Sequence, residues 1–343
     1  MAATIRVGIV GSGFGGLVHA PALAAHERFE LVAIASPQRA AQIARERKIP
    51  QAFASVDAML DGVELDAVTV APPPFAHRDV AVAALARGKH VLCEKPLART
   101  LAEGEEIVAG AKAAGTACGI AFEFRFTPAR QALHELIVNR HLGALREIEV
   151  THLENLLRAD ETRRRRGWWM EKSRGGGIAQ AFGSHLIDSL NWLAGRPPRT
   201  SVGLGRTANP RRRDEQGEFT TDVADGIFAL LEYGDGLIGR LTLDGATAQR
   251  SSTLAVHGEG RTAVASGENL LDASLFTVDE DETSELELKP STYASYAAAH
   301  PNLPPFLALL DEWAKAIDGK PNALPTLQDG LEVQRVLKAV GYE

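Results

Sequence analysis

The chain has 343 residues, 45% of them hydrophobic and 24% charged, with a formal net charge of −7. That length predicts about two domains of roughly 150 residues each, able to hold a core without disulfide or metal staples. The acidic balance argues against nucleic acid as a partner, and no apolar run approaches the roughly 20 residues of a membrane span.

Thr4–Val10 already reads as a buried strand, which leaves no cleavable leader and makes a cytoplasmic chain the expectation. Strand patterns follow at Ile5–Val10, Glu30–Ala35, Ala67–Ala71, His90–Cys93 and Ala117–Phe122, with helical patterns at 14–25, 39–47, 77–87 and 101–114. Strand–helix alternation with continuously apolar strands predicts an α/β, doubly wound parallel sheet over 1–122. Cys93 and Cys118 lie in two of these apolar runs and read as reduced core thiols.

From about residue 123 the texture changes. Leu145–Leu153, Asp225–Tyr233, Leu237–Leu243 and Thr253–His257 alternate, which predicts an α+β second domain over 123–343 with an open, mostly antiparallel sheet. Residues 204–220 are polar and read as a mobile loop. The run Arg163–Arg166 is either a solvated loop or an anion or substrate contact. Phe306, Leu309, Leu310, Trp313 and Ile317 form one helical stripe that ends at Gly319–Pro321. No spacing of His, Cys and carboxylates resembles a metal site.

The first strand runs into Gly11-Ser12-Gly13-Phe14-Gly15-Gly16, so Gly11, Gly13 and Gly16 match G-x-G-x-x-G between a strand and a helix. Gly11 permits the turn, Gly13 lets backbone approach a pyrophosphate, and Gly16 lets the helix pack on the strand. The helix N-terminus beyond Phe14 adds free N–H groups for phosphate. About 20 residues on, where an NAD site carries Asp or Glu, stands Ser36, with Arg39 close behind. Ser36 and Arg39 suit a 2′-phosphate, so NADP(H) is the expected cofactor, with NAD(H) the alternative.

The segment GKHVLCEKPLA, Gly88 to Ala98, resembles the strand-end motif of the Gfo/Idh/MocA oxidoreductases, a family that includes inositol- and glucose-type dehydrogenases. Asp66–Pro72 with His77, Phe124–Pro128, Gly175-Gly176-Gly177 and Gly183–Asp188 resemble further family segments across nearly the whole chain. The resemblance implies a second-domain sheet of about six strands, with the C-terminal helices packing on the first domain. It also implies a homodimer or homotetramer through that sheet, and reversible hydride transfer between a nicotinamide and a secondary carbinol of a sugar, cyclitol or derivative.

Lys95 follows a parallel strand at its C-terminal end, where α/β sheets place ligands, and its ammonium suits a developing alkoxide. His185 is the expected proton acceptor. Asp188, three residues on, either orients that ring or pairs elsewhere. Pro72, His77 and Glu94 are expected on the cofactor side, with His77 a helix-start residue rather than a base. Arg125 and Trp168 are expected to face substrate, Arg125 having a structural salt bridge as its other reading. The family's usual Asp four residues before the histidine is here Ala181. Either His185 suffices alone, or another group such as Glu123 or Tyr233 substitutes, or catalysis is lost. The two rival functions are a non-catalytic NADP-binding regulator and an NAD-dependent glycosidase.

Overall fold

The computed structural model describes residues 3–159, 165–280 and 282–342. The chain divides into one unit of residues 1–123 and 292–331 and a second of 124–291 and 332–343.

The first unit holds β1 (Ile5–Val10), α1 (Ala20–Ala25), β2 (Phe29–Ala35), α2 (Ala40–Arg47), β3 (Gln51–Phe53), α3 (Val56–Gly62) and β4 (Ala67–Val70). It continues through α4 (His77–Ala86), β5 (His90–Cys93), α5 (Leu101–Ala114) and β6 (Cys118–Ile120). Its six strands run in the order β3-β2-β1-β4-β5-β6, and every pairing is parallel. Four strands in mid-sheet are almost wholly buried, as their largely apolar sequences require. The strand order reverses between β1 and β4, which opens the crevice in which such sheets take ligands.

Residues 14–25 are not one regular helix: Gly15–His19 is a π-helical turn that leads into α1. Two elements were not legible, β3 and α3. The latter is opened by Ser55, whose Oγ accepts from Ala58 N at 3.2 Å.

The second unit holds α6 (Pro128–Val138), β7 (Leu145–Leu153), α7 (Ser184–Ala194), β8 (Thr200–Arg206), β9 (Arg211–Asp214), β10 (Gly217–Thr220), β11 (Gly226–Gly234) and β12 (Leu237–Asp244). Then come β13 (Ser251–Gly258), β14 (Thr262–Gly267), β15 (Ser274–Asp279) and β16 (Glu282–Leu286). Among the described residues its sheet has eight strands rather than about six, in the order β16-β15-β14-β13-β7-β12-β11-β8. Among the described residues, only the β12–β7 pairing of this sheet is parallel. Alternate side chains of β12 are buried, the pattern of a strand covered on one face.

The expected mobile loop at 204–220 is instead the end of β8 and the β9–β10 hairpin. Arg212 fills an inward position and donates to Leu157 O at 2.8 Å and Arg158 O at 2.9 Å. Of the arginine run, Arg163 and Arg164 lie outside the described residues. Arg166 pairs with Asp214 at 3.0 Å and Arg165 with Glu215 at 2.9 Å, so its described half braces the hairpin.

Near the C-terminus, α8 (Leu303–Ile317) belongs to the first unit and α9 (Leu327–Ala339) follows. Prolines at the start of α8 need no intrahelical N–H partner there. Phe306, Leu309, Leu310 and Trp313 are fully buried. Trp313 stacks on Phe29 and donates to Ala117 O at 3.2 Å. The Leu324–Pro325 segment covers the β6 edge, where Ile120 N donates to Pro325 O at 2.9 Å. Among the described residues no helix is long and apolar enough to cross a membrane.

Candidate active site

The carboxyl edge of the first sheet is tied strand to strand. Gly11 N donates to Ala35 O, Ala71 N to Val10 O, Glu94 N to Val70 O and Ala121 N to Cys93 O, all at 2.8–2.9 Å. The ladder therefore runs one residue past each strand and fixes the turns that carry the candidate residues.

Gly11 has φ +114°, and a Cβ there would sit 2.2 Å from Ala71 O. No side chain is compatible with that turn. A Cβ on Gly13 would meet nothing within 4 Å, so its backbone faces open space of the kind a pyrophosphate needs. The helix-packing role expected of Gly16 falls to its neighbour. A Cβ on Gly15 would lie 2.9 Å from Ile9 of β1, whereas one on Gly16 would meet Ile43 of α2 at 3.2 Å. Phe14 caps the π-helical turn and packs edge-on against His19. Ser36 Oγ donates to Ser12 Oγ at 3.1 Å, which links the end of β2 to the glycine turn. Arg39 is exposed at the start of α2. An open glycine turn with a hydroxyl pair beside it fits the phosphates of a nicotinamide dinucleotide.

His77 opens α4 and is buried, with Nδ1 2.8 Å from Pro96 O and Nε2 2.9 Å from Pro72 O. It thus ties the turn after β4 to the turn after β5. Burial pushes its imidazole below its ordinary range, against the pull of the Pro72 and Pro96 carbonyls. Glu94 is also buried. Its Oε1 lies 3.0 Å from His19 Nε2, and its Oε2 accepts from Lys95 N at 3.2 Å. The Lys95–Pro96 peptide is cis.

His19 was not legible as a site residue. It is fully buried, and Phe306 packs on its ring at 4.4 Å. Its meaning depends on Glu94, 75 residues away. Glu123, two residues past the Ala121–Cys93 hydrogen bond, is 1% exposed and accepts from Asn302 Nδ2 at 3.2 Å. Burial, then Glu94, push its carboxyl up to about 8, with Lys95 opposing.

In the second unit, α7 is entered through a π-helical turn at Ala179–Gly183. Ala181 therefore lies on a wider winding than a regular α-turn before His185. His185 is buried and stacks on Phe124, ring centroids 4.0 Å apart. Asp188 is engaged by Arg125. Arg125 Nε donates to Asp188 Oδ2 at 2.9 Å and Arg125 Nη2 to Oδ1 at 2.5 Å, which is the salt-bridge reading of Arg125.

Arg130 was not anticipated. It lies over Phe124, donates to Leu270 O at 2.5 Å, and is lowered by burial to about 10. The Thr127-Pro128 start of α6 was the available signal for it. Trp168 is half-buried in the Trp168–Met170 turn. A Cβ on Gly176 would lie 2.5 Å from the carbonyl oxygens of Trp168 and Trp169. Tyr233 is no candidate base. It is fully buried, donates to Asn191 Oδ1 at 2.8 Å, and its hydroxyl is pushed well up by burial. Among the described residues no group of three or more His, Cys, Asp or Glu is placed to hold a metal ion.

Residues 5–122 match the oxidoreductase family with an NAD-binding Rossmann fold, and residues 130–264 match the GFO/IDH/MocA C-terminal domain. The chain is 27% identical to the D-glucoside 3-dehydrogenase of Escherichia coli, over 98% of this chain and 94% of that one. It is 26% identical to the levoglucosan dehydrogenase of Pseudarthrobacter phenanthrenivorans, over 74% of this chain and 71% of that one. A solved levoglucosan dehydrogenase in complex with NADH and L-sorbose has the same fold, with a TM-score of 0.85 at 22% identity, covering 98% of this chain and 96% of that one.

Proposed function

The chain belongs to the Gfo/Idh/MocA family of oxidoreductases, and from that premise we propose that it interconverts a secondary carbinol and ketone of a sugar, cyclitol or derivative, using NADP(H). The observation that carries this reading is Glu94-Lys95-Pro96 on the ligand edge of the dinucleotide-binding sheet, fixed there by the Glu94–Val70 and His77–Pro96 hydrogen bonds. Relatives named for sugar substrates support the substrate class.

The backbone of Gly11–Gly13 holds the pyrophosphate, and the Pro72 and His77 turn holds the nicotinamide end. The absence of a carboxylate at Ser36, with Arg39 exposed nearby, supports NADP(H) over NAD(H). When bound, the nicotinamide supplies or takes the hydride. Lys95 holds the reacting oxygen and stabilises its developing negative charge. Two groups are able to exchange the hydroxyl proton: His185, whose neutral imidazole can accept it and whose imidazolium can return it, and Lys95, whose ammonium can pass one of its N–H protons to the oxygen it holds. Arg125 and Asp188, bound to each other, position the α7 face that carries His185.

Val202 and Leu230 pair across β8 and β11, and with Leu204 they leave an exposed apolar patch on the open sheet face. That patch supports a homo-oligomer through this sheet. Free thiols at Cys93 and Cys118 support a reducing, cytoplasmic compartment. The test of the activity is absorbance of the reduced nicotinamide with a panel of sugars, cyclitols and keto-sugars. Stoichiometric reduction of NADP by at least one polyol is expected. Cofactor binding without turnover on any panel member would contradict the reading.

A further inference from the structure

Glu123 is a buried carboxyl that the proposed chemistry leaves unused. It lies just past β6, beside the turn that carries Glu94 and Lys95 just past β5, because Ala121 N donates to Cys93 O at 2.8 Å. Its Oε1 accepts from Asn302 Nδ2 at the start of α8. Its Oε2 is buried with no hydrogen-bond partner among the described residues. An ionised carboxylate so placed has an undonated, desolvated oxygen, which is costly. A carboxylic acid, or a carboxylate facing a nearby cation, relieves that cost.

Besides burial, Glu94, Lys95, the Asn302 amide and its own backbone N–H act on the Glu123 carboxyl. Glu94 acts against ionisation of Glu123 and Lys95 acts for it. His19 engages Glu94, and the Asn302 amide from α8 is neutral. We propose that Glu123 is the proton store for Lys95, a positioning residue that sets the charge on the ammonium during turnover. This rests on the role given to Lys95 above.

In the reducing direction the ketone oxygen needs one proton for each hydride its carbon gains. The Lys95 N–H bond breaks as the O–H bond of the product forms. The Glu123 O–H bond then breaks as the Lys95 N–H bond reforms, leaving a carboxylate opposite an ammonium. A solvent proton restores Glu123, and in the oxidising direction the same steps reverse.

Raised to about 8, Glu123 is protonated at neutral pH and ionises as pH rises through that value. Infrared titration of the cofactor-free protein tests this directly. The wild type should show a carboxylic-acid C=O band that is absent from Glu123→Gln and is lost with a midpoint near pH 8. In Lys95→Met the midpoint should move up, because the cation that favours ionisation is gone. The reductive kcat of the wild type should carry an inflection at the same pH. Glu123→Gln should lack it, with kcat down about a hundredfold and KM little changed.

Circular dichroism of Glu123→Gln, which keeps an oxygen for Asn302, establishes that the variant is folded. Absence of the band at neutral pH, or a midpoint indifferent to Lys95→Met, overturns the proposal. Collapse of turnover in Lys95→Met with an unchanged pH profile in Glu123→Gln overturns the proton store alone. Full turnover in Lys95→Met overturns both it and the reading it rests on.

Discussion

Arg125 grips Asp188 through two parallel hydrogen bonds, at 2.9 and 2.5 Å, with both side chains almost wholly buried. Bidentate guanidinium–carboxylate geometry is the strong form of this interaction. Breaking it by removing one partner leaves a buried charge, which costs about 3–5 kcal/mol. Arg125→Met or Asp188→Leu alone should therefore lower the urea midpoint sharply. The double variant should recover much of the loss, because no charge is left stranded. Additive losses in the double variant would show that the pair is not the source.

The two open-turn glycines should behave differently. A Cβ on Gly13 meets no protein atom, so Gly13→Ala should keep its melting temperature while weakening cofactor binding at least tenfold. A Cβ on Gly11 collides with Ala71 O, so Gly11→Ala should lose stability and binding together. Calorimetric binding beside thermal melts separates the two. An unchanged cofactor Kd in Gly13→Ala would remove that backbone from the phosphate site.

Cofactor choice should respond to one charge. A carboxylate at contact range of a 2′-phosphate costs about 1–4 kcal/mol, which is a factor of about five to several hundred in relative kcat/KM. Ser36→Asp should shift the NADP-to-NAD ratio toward NAD by that much, and Arg39→Ala should shift it the same way by less. A wild-type enzyme that already prefers NAD would defeat this assignment.

Acid stability should report His152. Burial, with Arg130 and Arg250 adding to it, lowers its imidazole from 6.5 to about 4, so the fold holds the ring neutral. A depressed folded pKa means stability that is fully present above about 6.5 and is lost as pH falls toward about 4. Urea midpoints measured across that window should fall for the wild type and fall less for His152→Leu. Parallel curves for the two proteins would assign the acid limb to other groups.

What the sequence disclosed follows from how local each signal is. Ile5–Val10 and the glycine turn were legible because a buried parallel strand carries an apolar run, here Val7–Val10, and its turn has a fixed glycine spacing. Phe306 to Trp313 was legible because one helix face carries the whole stripe. The β9–β10 hairpin was not, since Arg212 occupies an inward position and is satisfied by the carbonyls of Leu157 and Arg158, against the usual polarity pattern.

The site was legible where a motif names it, as at Lys95. It was illegible where meaning depends on a distant partner. Asp188 stands three residues from His185 in sequence, yet its carboxylate is held by Arg125, 63 residues away. His19 acquires a role only through Glu94. Glu123 reads as an ordinary acid until its burial beside Glu94 and Lys95 is known.

The most direct test is turnover and cofactor affinity measured side by side for the wild type and Lys95→Met, on whichever polyol of the panel reduces NADP. The account predicts a fall in kcat of at least about a hundredfold with the NADP Kd essentially unchanged. Equal kcat in the two proteins would contradict it.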